Sequence, residues 1–339
     1  MKRIVVCVVL TATLGLMVGC ASNTGEGYAG VYTSGANIME AEELALPANY
    51  DPASMDHELT MQVAFKSPQP LSEPNKEVLP ISAKLSSRLQ TEMKKLGRFK
   101  IDSTFNNISG DLVAERADLG EVKQREENVI GPFDLTLSVE MIATRERQRV
   151  EDGNEWFYCV ECDCNCRDEK THLSKFAEKF RGEARRHQMM SMRNKRMAGF
   201  DEKTAEDALT EAALKALANL AKKLGNEFPV CGKVTGMTPS GETMMFDKGY
   251  EQGVFKNQQT VVFVDYMGVD IPIAAGTAEP GKNRSRLAVR RWNEKNKDAD
   301  AVIKELRSSP VTFFKNYKVY AAGYGIPIPP EWETFDQRK

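Results

Sequence analysis

The sequence predicts a mixed α/β (α+β) fold: a three-layer-like domain of sheet and helices, followed by a small C-terminal β-rich module. Three segments carry this prediction. The segment FDLTLSVEMIA at 133–143 alternates apolar and polar residues, so its apolar side chains share one face of a strand. The segment 201–224 repeats alanine and leucine at helical spacing. Beyond residue 228, short valine-rich segments alternate with turns, as in a small barrel-like module.

The first half of the predicted domain mixes strands and helices. LTMQVAF at 59–65 and RFKIDST at 98–104 are expected to be strands. A helix is expected between them, from about Pro80 to Gly97, because proline suits a first helical turn and glycine a C-terminal cap. A second helix is expected over 110–126.

The second half continues the pattern. The strand at 133–143 is expected to lead into a second strand, because EDGNE (151–155) contains an Asp-Gly turn signal. Asp201 or Thr204 is expected to cap the helix at 201–224. In the C-terminal module, strands are expected within 232–266, 286–292 and 318–324, with a short helix near 299–306.

The N-terminus resembles the signal sequence of bacterial lipoproteins. An apolar run at 4–18 has the length of a signal-peptide core and is too short for a confident membrane span. It ends in MVGC (17–20), small residues before a cysteine, which is similar to a lipobox. The resemblance implies cleavage before Cys20, lipidation of Cys20 and, with Ala21 next, the periplasmic face of the outer membrane. An ordinary secretory signal is the alternative.

These features divide the chain into four parts. Residues 1–19 are the expected signal peptide, and 20–57 a flexible tether rich in Gly, Ser, Ala, Asn and Glu. Residues 58–228 are the α/β domain, with a cysteine-rich insertion at 159–166, and 229–339 the β-rich module. The 46 basic and 48 acidic residues are well mixed and give no basis for nucleic-acid binding.

The order of elements over 59–224 resembles the curli-secretion lipoprotein family and the periplasmic domain of penicillin-binding-protein activator lipoproteins. The helices at 81–103 and 206–224 carry the likeness, and the tail at 232–266 resembles the β domain of flagellar-assembly relatives. The resemblance implies an envelope protein that binds a protein partner and is not an enzyme. Some members form oligomeric export channels, so a homo-oligomer is an alternative. No functional residue is carried over.

The cysteines are the main candidate site. Outside Cys7 and Cys20, five remain, and three arrangements are open: structural disulfides, a metal site such as zinc joined by His172, or thiols with no set role. Alternate residues of a continuous strand lie about 6.6 Å apart, too wide for a zinc site and at the limit for a disulfide. Either site therefore requires the strand to end and turn. The candidates are Cys159, Cys162, Cys164, Cys166 and Cys231.

The functional expectation is a lipid-anchored periplasmic protein that binds an envelope partner, with no cofactor other than the zinc alternative. We weigh it against an export channel and a metal-binding or thiol-redox lipoprotein. A channel needs an uninterrupted lipid-facing apolar row, whereas TRERQRV (144–150) carries dense charge. A sheet with one solvated face is therefore favoured. No histidine lies in a nucleophile motif, so the residues offer no acid–base constellation for an enzyme.

Overall fold

The structure is a computed structural model that describes residues 38–41, 44–46, 58–66, 77–102, 133–191, 196–197 and 202–333. The expected signal peptide, Cys20 and the helix expected at 110–126 lie outside the described residues. Within these ranges the mixed α/β fold is confirmed: a seven-stranded sheet with two helices packed on it is followed by a closed six-stranded barrel.

The sheet runs in the order β3-β1-β4-β5-β6-β7, with β2 paired to β4. Strand β1 is parallel to β3 and β4, and the long strands β4, β5 and β6 are antiparallel neighbours. The strands are β1 Thr60–Lys66, β2 Glu77–Leu79, β3 Lys100–Asp102, β4 Leu135–Val150, β5 Gly153–Asp168, β6 Ser174–Ser191 and β7 Arg196–Met197.

The alternation predicted for 133–143 is confirmed in β4. Every second residue from Leu135 to Ala143 is buried, and the residues between them are half-buried or exposed. The predicted turn is also present, since Glu151 and Asp152 link β4 to β5 and Val150 pairs with Gly153. We call the buried side of these strands the inner face and the opposite side the outer face.

Two helices cover the inner face: α1 Ala83–Met93 and α2 Glu202–Glu227. Ser82 caps α1, because its hydroxyl accepts a hydrogen bond from the Leu85 amide at 3.1 Å. The helix therefore begins after Pro80, and it ends before Gly97. Helix α2 matches the predicted helix, with its alanine and leucine stripe buried against β5 and β6. Within the described ranges, both helices share one core with the sheet.

The predicted barrel-like module is a closed barrel in the order β10-β11-β12-β9-β8-β13. Its interior is filled by valine, alanine and phenylalanine side chains, and two helices pack onto that core. The elements are β8 Val230–Met237, β9 Thr243–Phe246, β10 Gln258–Tyr266, β11 Val269–Pro280, β12 Ser285–Trp292, α3 Lys297–Ser308, α4 Pro310–Asn316 and β13 Lys318–Gly323.

The C-terminal segment leaves the barrel and completes the first core. Ile326, Ile328 and Trp332 are buried with the side chains of the sheet and α2. Trp332 lies in the last described helix, α5 Pro330–Glu333, and its indole Nε1 donates to Glu92 Oε2 at 2.8 Å. The domain that begins near residue 58 therefore also contains the end of the described chain.

The expected tether at 20–57 is partly docked. Ile38 and Leu44 pack with Val261 and Ala275 on the outside of the barrel. The Ile38 amide donates to Gln259 Oε1 at 3.0 Å, and the Arg291 guanidinium donates to backbone carbonyls of this segment. Within the expected tether, these few residues therefore lie against an apolar strip on the barrel.

No helix in the ranges given above is both long and apolar enough to cross a membrane.

The close packing of α2 on β6 makes Gly182 a sensitive position. A Cβ built on Gly182 would lie 2.0 Å from the Ala212 carbonyl oxygen and 2.5 Å from the Ala216 amide nitrogen. Gly182→Ala must therefore push the helix from the sheet, and we expect the free energy of unfolding to fall by about 2–3 kcal/mol. Urea denaturation followed by circular dichroism measures this change.

Gly236→Ala is the matched control, because a Cβ at Gly236 meets nothing within 4 Å. We expect it to change the free energy of unfolding by no more than about 0.5 kcal/mol. Equal losses from both substitutions would show that α2 does not approach β6 as described.

Candidate functional site

The cysteine candidates lie on an unbroken strand. Strand β5 runs from Gly153 to Asp168 without a turn. Cys162, Cys164 and Cys166 occupy alternate positions on its inner face and are 0% exposed. None of the five described cysteines forms a disulfide. Of the three arrangements left open by the sequence, structural disulfides and a metal site both require the strand to end and turn, and β5 does neither here.

The buried thiols are held in their neutral form. Burial raises the pKa of Cys162 and of Cys166 to about 12, and it raises the pKa of Cys164 further. Thiolate is the form that attacks electrophiles and binds metals. At neutral pH these three side chains therefore behave as small apolar groups that let α2 approach the sheet.

The remaining candidates lie apart from this row. Cys159 is half-buried on the outer face of β5, where burial raises its pKa and the nearby Arg181 opposes that shift. Cys231 lies in barrel strand β8, with its Sγ 3.7 Å from the Pro229 carbonyl oxygen. His172 is exposed in the turn between β5 and β6, at a φ of 57°. Across the part of the chain that the structure describes, no three His, Cys, Asp or Glu side chains are grouped to hold a metal ion.

A second candidate lies where the long strands leave the helical layer. From 144 to 150, no residue of β4 is buried, although alternate residues are buried up to Ala143. Seven residues of strand span about 23 Å. The hairpin partners in β5 and β6 continue beside them as far as the register at Gly153 and Met189. We call this part of β4, β5 and β6 the projecting end.

Arginine is concentrated on the inner face of the projecting end. Arg145, Arg147 and Arg149 alternate along β4 on the same side as the buried Ala143. Strand register aligns Arg147 with Trp156 and Trp156 with Arg186. We call this set the arginine face: Arg145, Arg147, Arg149, Trp156 and Arg186.

The acidic residues of these strands take the other side. Glu146 and Glu155 occupy alternate positions and therefore point to the outer face. Among the described residues, the two carboxylates that reach the arginine face come from other elements. Glu77 of β2 binds Arg145 with an Nη2–Oε2 distance of 2.6 Å, and Glu211 of α2 binds Arg186 at 2.9 Å. Four arginines thus share two carboxylates, which leaves a net positive surface.

Trp156 organises the middle of the arginine face. The guanidinium carbon of Arg145 lies 4.9 Å from the indole centroid, and that of Arg147 lies 5.9 Å from it. Both distances are within the range of cation–π attraction. The indole Nε1 donates to Gln188 Oε1 at 3.1 Å, which fixes the ring plane. The arrangement holds two cations in place beside an indole ring that the core covers only in part.

The segment TRERQRV already carries the signal for part of this surface. Its arginines fall at 145, 147 and 149, so any strand through them places all three on one face. Only the density of charge in this segment entered the expectation drawn from the sequence, and its alternation was missed. The contributions of Trp156 and Arg186 depend on the β4–β5–β6 register, which no local pattern gives.

Neither a protein-family model nor a curated protein sequence matches this chain. The resemblance to the curli-secretion group therefore stays a prediction.

The orientation of the β5 cysteines leads to a direct prediction about thiol reactivity. With iodoacetamide at pH 8, we expect Cys159 to be alkylated in the native protein and Cys162, Cys164 and Cys166 to be protected at least about tenfold, because their raised pKa and burial leave little accessible thiolate. Peptide mass spectrometry measures the extent at each cysteine.

Cys159 is the internal control, since it lies on the same strand but on the outer face. In urea all four cysteines of β5 are expected to react at similar rates. Alkylation of Cys164 as fast as Cys159 in the native state would contradict the inward orientation.

Proposed function

We propose that this protein is a lipoprotein anchored through Cys20 at the periplasmic face of the outer membrane. We propose further that it binds a protein partner there, in the assembly or regulation of an envelope structure. The basic residues, apolar run and small residues before Cys20 support this location. One acyl chain gives only marginal membrane binding, so the proposal includes the multiple chains that such an anchor carries.

The arginine face of the projecting end is the single observation that carries the binding role. Helix α2 and the C-terminal segment already bury the inner face of the sheet as far as Ala143. Arg147 and Arg149 beyond it are exposed and lie outside that core. Two cations held over one indole ring are pre-organised, so little side-chain entropy is lost when a partner binds. A positive face of this kind favours an acidic surface on the partner.

The docked N-terminal segment supports a position close to the membrane. Eighteen residues lead from Cys20 to Ile38, which packs on the barrel. A chain of that length spans at most about 60 Å even when fully extended. A lipid on Cys20 would therefore hold the barrel within that distance of the bilayer.

The outer face of the long strands favours binding in water over an export channel built from these strands. Glu161 pairs with Arg181 at 3.8 Å, and Asp163 pairs with Lys179 at 3.4 Å. These side chains are about half exposed or more, and they form a charged row where a channel strand needs an apolar one. The thiol-redox alternative draws no support from Cys162, whose thiol is buried and protonated.

The proposed lipidation of Cys20 and the membrane location have their own test. We expect mass spectrometry of the native protein to show a mature chain that begins at Cys20 and carries fatty acyl groups. Cys20→Ser is expected to abolish acylation and release the protein from the membrane fraction. A native chain that keeps residues 1–19 and carries no acyl group would refute the lipoprotein proposal.

The binding surface is tested by charge reversal. Arg147→Glu combined with Arg149→Glu keeps the strand and reverses the exposed part of the arginine face. We expect recovery of co-purifying envelope proteins from membrane extracts to fall at least about tenfold, because like charges across an interface repel strongly. Quantitative mass spectrometry of tagged full-length protein measures the recovery.

Lys179→Glu combined with Arg181→Glu is the matched control, because both residues lie on the outer face of β6. This variant should retain the same partners as the unaltered protein. Equal loss in both variants, or no loss in either, would show that the arginine face is not the binding surface.

A further inference from the structure

Three hydrogen-bond donors converge where the arginine face meets the core. Arg145 on β4 is the direct register partner of Tyr158 on β5. Arg186 on β6 pairs with Trp156, two residues from Tyr158 on the same face. Burial raises the pKa of Tyr158, whereas a hydrogen bond from Arg145 and the positive charges of Arg145 and Arg186 act to lower it.

Two of these donors are buried without an acceptor for their protons. The Tyr158 side chain is 0% exposed and the Arg186 side chain 10% exposed. Among the described residues, the Arg145 guanidinium reaches the Tyr158 oxygen, but the hydroxyl finds no acceptor for its own proton, and Arg186 Nη2 has no acceptor either. A buried donor that loses water without gaining a partner destabilises the fold. Two such donors in adjacent positions therefore indicate an acceptor between them.

The neighbouring acids do not supply that acceptor. Glu77 is engaged by Arg145 through both Nε and Nη2. Glu211 binds Arg186 through Nη1 and also binds Lys215, with an Nζ–Oε1 distance of 2.6 Å. Arg186 Nη1 additionally donates to the Arg185 carbonyl oxygen at 2.8 Å. Both carboxylates are thus occupied, and the Tyr158 hydroxyl and Arg186 Nη2 remain for a ligand.

The approach to the cluster is also positive. Arg145 is 23% exposed, and Arg147 beyond it is exposed, so the cluster opens toward the projecting end. The ligand that fits is therefore an anion with several acceptor oxygens.

We propose that Arg145, Tyr158 and Arg186 form a binding site for a phosphate-type oxyanion. Guanidinium groups recognise phosphate through paired N–H donors, and the phenol hydroxyl supplies a further donor from the buried side. The phosphate is either free or the terminal group of a lipid head. This inference rests on the proposed function in one respect: it places a ligand on the face to which we assign partner binding.

The test uses full-length protein, kept in neutral detergent for the titration and freed of detergent for the flotation. Isothermal titration with inorganic phosphate measures binding of the free anion. Flotation with phosphatidylcholine vesicles, with and without phosphatidic acid, measures binding of a lipid phosphate monoester, with the Cys20→Ser form used to remove anchoring by acyl chains. We expect binding in at least one arm. Phosphate binding alone identifies a free anion, and vesicle binding that requires phosphatidic acid identifies a lipid head.

Tyr158→Phe is the decisive variant, because it removes one hydroxyl and keeps the ring. We expect binding to weaken about tenfold, the usual effect of losing a hydrogen bond to a charged group. The urea midpoint of the ligand-free protein should stay the same or rise, because the orphan hydroxyl is gone. Tyr320→Phe, at a buried tyrosine of the barrel, is the control and should leave binding unchanged.

Three results would overturn the proposal: no binding in either arm, equal binding by Tyr158→Phe and the unaltered protein, or a lowered urea midpoint with binding unchanged. Failure here is separable from failure of the proposed function. The Arg147→Glu/Arg149→Glu variant keeps Tyr158 and Arg186, so loss of protein partners with phosphate binding retained would assign the two activities to different parts of the face. Retained partners with no phosphate binding would refute this inference alone.

Discussion

The first domain depends on one contact, the close approach of helix α2 to strands β5 and β6. Gly182 opens the space into which the Ala212 turn fits, and the neutral Cys164 thiol adds a small apolar surface under the helix. A sheet and a helix bury most area when their backbones are close, and larger side chains at these positions would separate them. The position of α2 then decides how much of each long strand is covered. Strands β4, β5 and β6 are longer than the helical layer that packs on them, and their uncovered part is the projecting end.

Much of this fold could be predicted from local patterns. The α2 helix and the buried side of β4 follow from residue spacing alone. Periodicities of 3.6 and two residues can be recognised in the sequence without knowing which elements pack against the segment. The barrel module followed from valine-rich segments and turns. The packing of Trp332 into the first core did not, because nothing near it in sequence indicates a partner 240 residues away at Glu92. The docked N-terminal segment was missed for a similar reason, since its apolar residues are few and widely spaced.

The two candidate sites show opposite limits of sequence reasoning. For the cysteines, spacing supplied the correct geometric test, but the choice between a turn and a continuous strand required the hydrogen-bonded neighbours on both sides of β5. For the arginine face, parity in TRERQRV was available, whereas the alignment of Arg186 with Trp156 was set by strand register. The Tyr158 hydroxyl proton lacks an acceptor because of how the interior is packed, and no sequence pattern indicates this.

The C-terminal segment returns to the first domain, so the last part of that domain's core is made after the barrel strands. The sheet domain starts near residue 58, yet its core lacks a fully buried tryptophan until Trp332 has arrived. The barrel between them needs nothing beyond Gly323 to close its ring of strands. Domains usually fold in the order in which the ribosome makes them. The strands of the later module are therefore made before the segment that completes the core of the earlier domain.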